Sequence, residues 1–402
     1  MNIILFDSDA RNRLLPLTAT RPVCELRLGI LTLREKWERR LNGSVSYITQ
    51  EYLQEKFPIN VEDENLVING GLVPNNQICE RILALNLNEA LLFNGELVAA
   101  RLNEARFESL IGDEEASELR GIELPADFPL TFINRLWQIT RLNGQAISDD
   151  FELLTRGRQS LPISDTNQVI GPSGRIFIEE GAVVEGCTFN TKDGPVYIGH
   201  NTELMEGSSF RGPVALSRDC IVKMGARIYG PCSFGPGCRL GGEITRSVMI
   251  ANSNKAHDGY LGDAVIGEWC NLGADTNNSN LKNNYSEVKL WSYESDRFEL
   301  TGEQFVGLMM GDHSKCAINT MFNTGTVVGV AANVFGGGFV RNFVPDFSWG
   351  GPDNPYKTNK FPEVCETATV VMQRRNLVFS DVDKAILYHI YDETARYRSW
   401  EK

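Results

Sequence analysis

Apolar residues recur every six positions through the middle of the chain: Ile198, Leu204, Phe210, Leu216, Val222, Ile228, Phe234 and Leu240. Four residues after each stand Thr202, Ser208, Val214, Cys220, Ala226, Cys232, Cys238 and Ile244, all but the last of them small. The phase returns at Ile266 and Leu272, and again at Met310, Cys316, Phe322, Val328, Val334 and Val340. A period of six fits neither the 3.6 of a helix nor the 2 of an amphipathic strand. It is the hexapeptide signature of a parallel β-helix, in which each hexad supplies one flat face and one corner. Gly199, Gly207, Gly225, Gly235 and Gly237 suit tight corners with positive φ. The phase is interrupted across 246–265 and across 278–309, and long departures from a regular scaffold predict functional loops.

The patterns on either side differ. Residues 1–160 alternate short apolar runs ("NIILF" at 2–6, "VSYI" at 45–48, "NLVIN" at 65–69) with helical spacing over 29–41 and 74–85. That alternation predicts an α/β domain on a parallel sheet. Asn94-Gly95 between two apolar runs predicts a hairpin. Residues 165–345 form the β-helix domain. Residues 346–402 begin with a Pro/Gly-rich stretch and end in two helical patterns, the second introduced by Ser380 with Asp383 three residues on, close to a capping box. No chemistry is legible in these last helices.

Composition narrows the function. A hydrophobic fraction of 42% is ample for a core, and no apolar run is long enough to span a membrane. The N-terminus "MNIILFDSDA" lacks the basic and apolar regions of a signal peptide, so a cytoplasmic location is the expectation. Nine cysteines, an odd number without a CxxC pair, read as reduced and mostly buried thiols. A net charge of −13 argues against sequence-independent nucleic-acid binding while leaving room for an anionic small ligand at a local Arg/Lys cluster. No metal site is expected, because His200, His257 and His313 are not separated by whole coils of the solenoid.

Three segments then carry a resemblance. Lys255-Ala256, His257-Asp258-Gly259-Tyr260-Leu261-Gly262-Asp263 and Asn271-Leu272-Gly273-Ala274 follow one another on the hexapeptide background. The region 165–345 thereby resembles the acetyltransferase half of the bifunctional N-acetylglucosamine-1-phosphate uridyltransferase/glucosamine-1-phosphate acetyltransferase family. This chain has one residue fewer between Lys-Ala and His, and "DTNNSNLKNNY" replaces a shorter Asn-Tyr turn, which marks a divergent branch. The resemblance implies a left-handed β-helix, a homotrimer and acetyl-CoA as co-substrate. It implies His257 as general base, since imidazole titrates near neutrality and amide formation must remove a proton from the attacking amine. It places Asn280 with the catalytic group and Tyr260, Arg246, Arg227 and Lys282 on the sugar phosphate. Gly273, Ala274 and Arg341 fall to acetyl-CoA.

"RNRLLPLTATRPV" at 11–23 resembles the signature of sugar nucleotidyltransferases, through Arg13, Leu14, Pro16, Leu17, Thr18 and Pro22. The loop glycines are replaced by Asp9 and Arg11, the lysine by Val23, and a metal-binding aspartate by Gly71. Arg13 and Arg21 are the nucleotide-binding candidates that remain, with Mg²⁺ needed only if this domain turns over UTP. The leading expectation is an acetyl-CoA-dependent N-acetyltransferase on glucosamine-1-phosphate or a similar amino-sugar phosphate, feeding UDP-N-acetylglucosamine synthesis. The rivals are a sugar-1-phosphate nucleotidyltransferase whose β-helix serves trimerisation, and a non-catalytic scaffold that binds a nucleotide sugar.

Overall fold

The computed structural model of the chain describes residues 1–111 and 119–401. Contacts divide it into two compact units. Met1–Leu14, Thr20–Leu26 and Leu31–Arg135 form the first; Leu15–Ala19, Arg27–Ile30 and Leu136–Lys402 form the second. No helix among the described residues is long and apolar enough to cross a membrane.

The first unit is built on a six-stranded mixed sheet. Asn2–Phe6 runs parallel to Ser44–Ile48 on one side and to Glu64–Asn69 on the other. Glu96–Asn103 then adds antiparallel to Glu64–Asn69, Glu89–Phe93 antiparallel to Glu96–Asn103, and Arg120–Glu123 parallel to Glu89–Phe93. The sheet is therefore not parallel throughout. A two-residue Asn94-Gly95 turn, with φ of 51° and 78°, can only return the chain antiparallel to itself. The helix Leu33–Leu41 starts at a capping box made by Thr32 and Glu35 and buries Leu33, Trp37 and Leu41. Trp37 Nε1 donates to the Leu72 carbonyl at 3.1 Å, which satisfies the one polar atom of the buried ring.

The second unit is a parallel β-helix of three stacked sheets with nine, ten and six strands. The hexad residues form its inner columns in register. Ile198, Leu216 and Phe234 pair coil on coil, as do Phe189, Phe210, Ile228, Ile244 and Leu261. Nearly all are fully buried. The rings of Phe189 and Phe210 stack at 5.2 Å. The small residues of the second series sit beside them, and the nine cysteines are all free, with all but Cys365 buried.

The two expected interruptions turn out to be different things. Across 246–265 the β-helix continues, through the strands Val248–Ala251, Asn254–Lys255 and Tyr260–Gly262. Only the corners are trimmed: the register step from Phe234 to Met249 is 15 residues where that from Leu216 to Phe234 is 18. A shortened corner shifts the hexad phase without breaking the solenoid. Residues 278–309 do depart from it. Leu281 and Phe305 bridge at the base of this excursion, and Lys289–Ser292 pairs antiparallel with Arg297–Leu300 at its tip.

The helix Gln138–Thr155 belongs to the second unit. Its fully buried Asn143 accepts from the Gly29 amide at 2.8 Å and from Ser233 Oγ on the solenoid at 2.9 Å. The helices Phe361–Gln373 and Asp381–Glu393 close the chain, the second with the capping box of Ser380 and Asp383.

The inner columns make a stability test direct. Phe210→Ala removes a fully enclosed ring between two coils and should cost about 3–5 kcal/mol, read as a lowered unfolding midpoint in denaturant.

Candidate functional site

One inner column contains a charge. Leu204, Val222 and Leu240 lead in register to Lys255, whose side chain is fully buried. An ammonium cannot stay there unpaired. Lys255 Nζ donates to the carbonyls of His257 at 2.6 Å, Asp258 at 3.0 Å and Gly241 at 3.4 Å. Burial pushes its pKa down to about 8, against the opposing pull of Asp258 and Asp275. The ammonium thus ties down the backbone of the corner that presents His257. Glycines let that corner lie close. A Cβ at Gly241 would stand 2.4 Å from the Ala256 carbonyl oxygen, and one at Gly242 (φ 70°) 2.7 Å from that of His257.

His257 itself is exposed and borders a cleft of about 790 Å³. Gly273 and Ala274 line the same cleft, with Asn254 and Asn271. So do Lys223, Arg239, Lys315, Arg374 and Arg375, and among the described residues that line it there is no carboxylate. Lys315 donates to the His313 carbonyl, Arg239 to the Asp219 carbonyl and Arg375 to Asn254 Oδ1 at 2.9 Å. These partners are neutral. Burial, and then the neighbouring Arg239, hold Arg375 below the usual guanidinium range. Positive charge gathered without counter-charge is the electrostatic form of an anion site. Gly273 is explained by coil stacking alone, because a Cβ there would meet the Ala317 backbone at 2.4 Å.

The next sheet of the solenoid carries a second cluster. Arg227, Glu243 and Tyr260 lie side by side on adjacent strands. Tyr229 donates to Glu243, while Arg227, half exposed, pairs loosely with Glu243 at 4.0 Å and with Asp258 at 3.8 Å. Arg246 is fully engaged: its Nε and Nη2 grip Asp263 at 2.8 and 2.7 Å, and its guanidinium lies 5.3 Å from the Phe305 ring. Asn280 Nδ2 donates to Asp263 at 2.6 Å and to Tyr260 Oη at 3.0 Å. Asn278, an inward residue opposite Phe322, bonds the Gly262 N–H at 2.8 Å and its carbonyl at 2.9 Å, standing in for a missing strand.

The sequence-derived candidates of the second unit therefore fall in four places. His257, Gly273 and Ala274 share the cleft; Arg227, Arg246, Tyr260 and Asn280 share the second cluster. Lys282 instead bonds the Glu287 carbonyl at 2.7 Å, within the excursion. Arg341 does not line the cleft and lies 5.7 Å from the Tyr356 ring. Sequence reasoning passed over Asp263, Asn278 and the cleft cations. Lys255 and Asn278 were detectable as polar residues in an otherwise apolar column. Arg374 and Arg375 had no signal beyond an adjacent pair of charges at a helix end.

In the first unit Arg21 is buried and Arg13 half-buried, with Arg13 Nε lacking a hydrogen-bond partner. Asp7 is committed to the Val23 amide and to Thr49 Oγ1. A side chain at Gly71 would meet the Ile133 carbonyl oxygen at 3.0 Å. Among the described residues no cluster of three or more His, Cys, Asp or Glu is arranged to hold a metal.

Residues 3–159 match the family described as sugar nucleotidyl transferase. Over 197 residues, 49% of this chain, the sequence is 29% identical to a Methanocaldococcus jannaschii protein named bifunctional protein GlmU, of which the match spans 41%. Over 352 residues, 77% of the chain, it is 25% identical to a Sulfurisphaera tokodaii protein named bifunctional sugar-1-phosphate nucleotidylyltransferase/acetyltransferase, of which the match spans 84%. A solved Francisella novicida UDP-N-acetylglucosamine acyltransferase is 12% identical, covering 54% of this chain and 72% of its own, with a TM-score of 0.30. The chain is thus similar, at modest identity, to proteins named as bifunctional.

The buried lysine sets a pH signature. With the folded pKa near 8 and the unfolded value near 10.5, both states are protonated below pH 8 and the unfolded chain binds more protons between the two values. Stability from this group therefore rises with pH across that window. Relative to Lys255→Met, the wild-type unfolding midpoint should shift upward from about pH 8 to pH 10 and stay flat below, as measured by thermal melts across the range.

Proposed function

We propose that the second unit transfers an acetyl group from acetyl-CoA to the amine of glucosamine-1-phosphate or a similar amino-sugar phosphate, as a step of UDP-N-acetylglucosamine synthesis. The observation that carries this reading is the cleft with His257 at its border and five cations along it. Coenzyme A is a long ligand with its phosphates at one end and its thioester at the other. Lys223, Arg239, Lys315, Arg374 and Arg375 receive the phosphates, and the thioester reaches the corner of His257. The amine nitrogen attacks the thioester carbonyl, and His257 accepts the proton that the amine sheds. The C–S bond breaks, the amide forms, and the departing sulfur takes that proton from His257 and leaves as the thiol. Arg227, more exposed than Arg246 and held only loosely by Glu243 and Asp258, is the cation for the sugar phosphate. The homotrimer and the cytoplasmic location belong to the same proposal.

A second reading attaches to the first unit. The match over residues 3–159 supports uridylyl transfer from UTP to a sugar phosphate. The engaged Asp7 and the tight space at Gly71 weigh against the usual metal-assisted form of that reaction. Pyrophosphate release on adding UTP and a sugar-1-phosphate distinguishes an active first unit from a silent one.

His257→Ala should lower kcat for acetyl transfer roughly 10²–10⁴-fold while leaving KM for acetyl-CoA nearly unchanged. Wild-type kcat in that variant refutes the base assignment. The double change Arg374→Ala with Arg375→Ala should do the reverse, raising KM for acetyl-CoA by about tenfold or more at near-constant kcat. An unchanged KM places the coenzyme elsewhere.

A further inference from the structure

The contacts around Asp263 have a direction, and the direction fixes what the second cluster can offer a ligand. Asp263 is almost wholly buried, in a corner with φ of 48°. An ionised carboxylate only accepts. It takes two bonds from Arg246 and one, at 2.6 Å, from Asn280. The group of Asn280 that faces Asp263 must therefore be its NH₂. Which end of a carboxamide points where is often ambiguous, and a carboxylate partner removes the ambiguity. The same NH₂ reaches Tyr260 Oη at 3.0 Å. Tyr260 Oη is thereby an acceptor in that contact, so its own proton is directed elsewhere.

Two consequences follow. Asn280 Oδ1 points away from Asp263 and receives no hydrogen bond from any described residue. The Tyr260 hydroxyl proton likewise has no protein acceptor among them. Burial, and then the charge of Asp263, raise the Tyr260 pKa and keep that proton in place. The cluster thus displays one fixed acceptor and one fixed donor.

We propose that Asp263 is a positioning residue that sets this polarity, so that Asn280 Oδ1 accepts an N–H of the amino sugar while the Tyr260 hydroxyl donates to a sugar oxygen. This rests on the acetyltransferase reading and deepens it, by giving Asp263 the role of orienting the two side chains expected to meet the amino sugar. Arg246 neutralises the buried carboxylate and is spent in doing so, which separates its role from that of a phosphate-binding arginine.

The test is a swap. In the full-length protein, Asp263→Asn frees the Asn280 amide to turn over, and Asn280→Asp sets two carboxylates face to face. Each single change should raise KM for glucosamine-1-phosphate by about tenfold with KM for acetyl-CoA within about twofold of wild type. The double variant D263N/N280D restores one donor and one acceptor across the contact and should recover the stability lost in Asn280→Asp, while the Tyr260 proton turns to the new carboxylate and the sugar KM stays raised. Wild-type KM in Asp263→Asn, or a double variant no more stable at pH 7 than Asn280→Asp, overturns the proposal. Stability gives a readout independent of turnover. Asn280→Asp should lose thermal stability as pH rises from about 4 to 7, where the paired carboxylates ionise, and the swap should abolish that slope. A flat profile for Asn280→Asp means that the amide does not face Asp263 and refutes the polarity, even if the wild-type protein acetylates nothing. A wild-type protein without acetyl transfer, together with the sloped profile, refutes the acetyltransferase reading and the amine assignment while the local polarity stands. If Asp263→Asn does not fold, Asn280→Asp still gives the slope, and Tyr260→Phe, which deletes the outward donor alone, should raise the same sugar KM; an unchanged sugar KM in Tyr260→Phe overturns the donor half.

Discussion

A solenoid leaves each coil little choice: at every face some side chain must point inward and stack on the coils above and below it. In this chain the inward residues are apolar almost without exception, and they register coil on coil from Ile176 to Val344. A polar residue in a column has no water to turn to, so it survives only by bonding the backbone of its own corners. Lys255 and Asn278 do this. Both stand in the coils from which the candidate chemistry projects. The same enclosure that makes them costly makes them rigid, and rigidity is what a proton-accepting or amine-orienting group needs from its support.

Charge is partitioned by the same geometry. The chain carries a net −13, yet the cleft beside His257 is lined by cations alone among its ionised residues. On the neighbouring sheet the cations meet carboxylates, at Arg246–Asp263 and around Arg227. Adjacent faces of one solenoid thus differ in kind. One has unbalanced positive charge, suited to a polyanion. The other has a balanced hydrogen-bonding surface, suited to a polyhydroxylated or aminated ligand with a single phosphate. Acetyl-CoA and an amino-sugar phosphate differ from each other in the same way.

Much of this was legible in the order of residues. Eight hexads in phase define the columns, and the buried columns follow them residue by residue. The Asn94-Gly95 turn predicts its hairpin, and Ser380 with Asp383 its capping box. The limits are equally physical. A trimmed corner is invisible to a search for period six, so residues 246–265 read as a loop when they are a coil. A parallel sheet was inferred from alternating elements, but pairing direction depends on the length of each connection, and the hairpin makes the sheet mixed. His257, Gly273 and Ala274 gather at one cleft as their motif spacing suggests, whereas Arg374 and Arg375 reach it from the end of the distant helix Phe361–Gln373. Nothing local could place them there.

The relation of Lys255 to His257 shows why surface residues alone do not define the site. The two are separated by one residue and occupy opposite situations, one enclosed and one exposed. The chain turns the corner between them, and the buried ammonium reaches back to the carbonyls of His257 and Asp258. A corner in this fold has few bonds of its own, because the strands that flank it are two or three residues long. An interior charge that bonds three carbonyls replaces what a longer strand would have supplied. An apolar side chain at position 255 would pack the column better and leave those oxygens without a donor, loosening the segment that carries the imidazole. The departure from the hexad rule is thus explained by what it holds in place: a core position is given up to order the corner next to it.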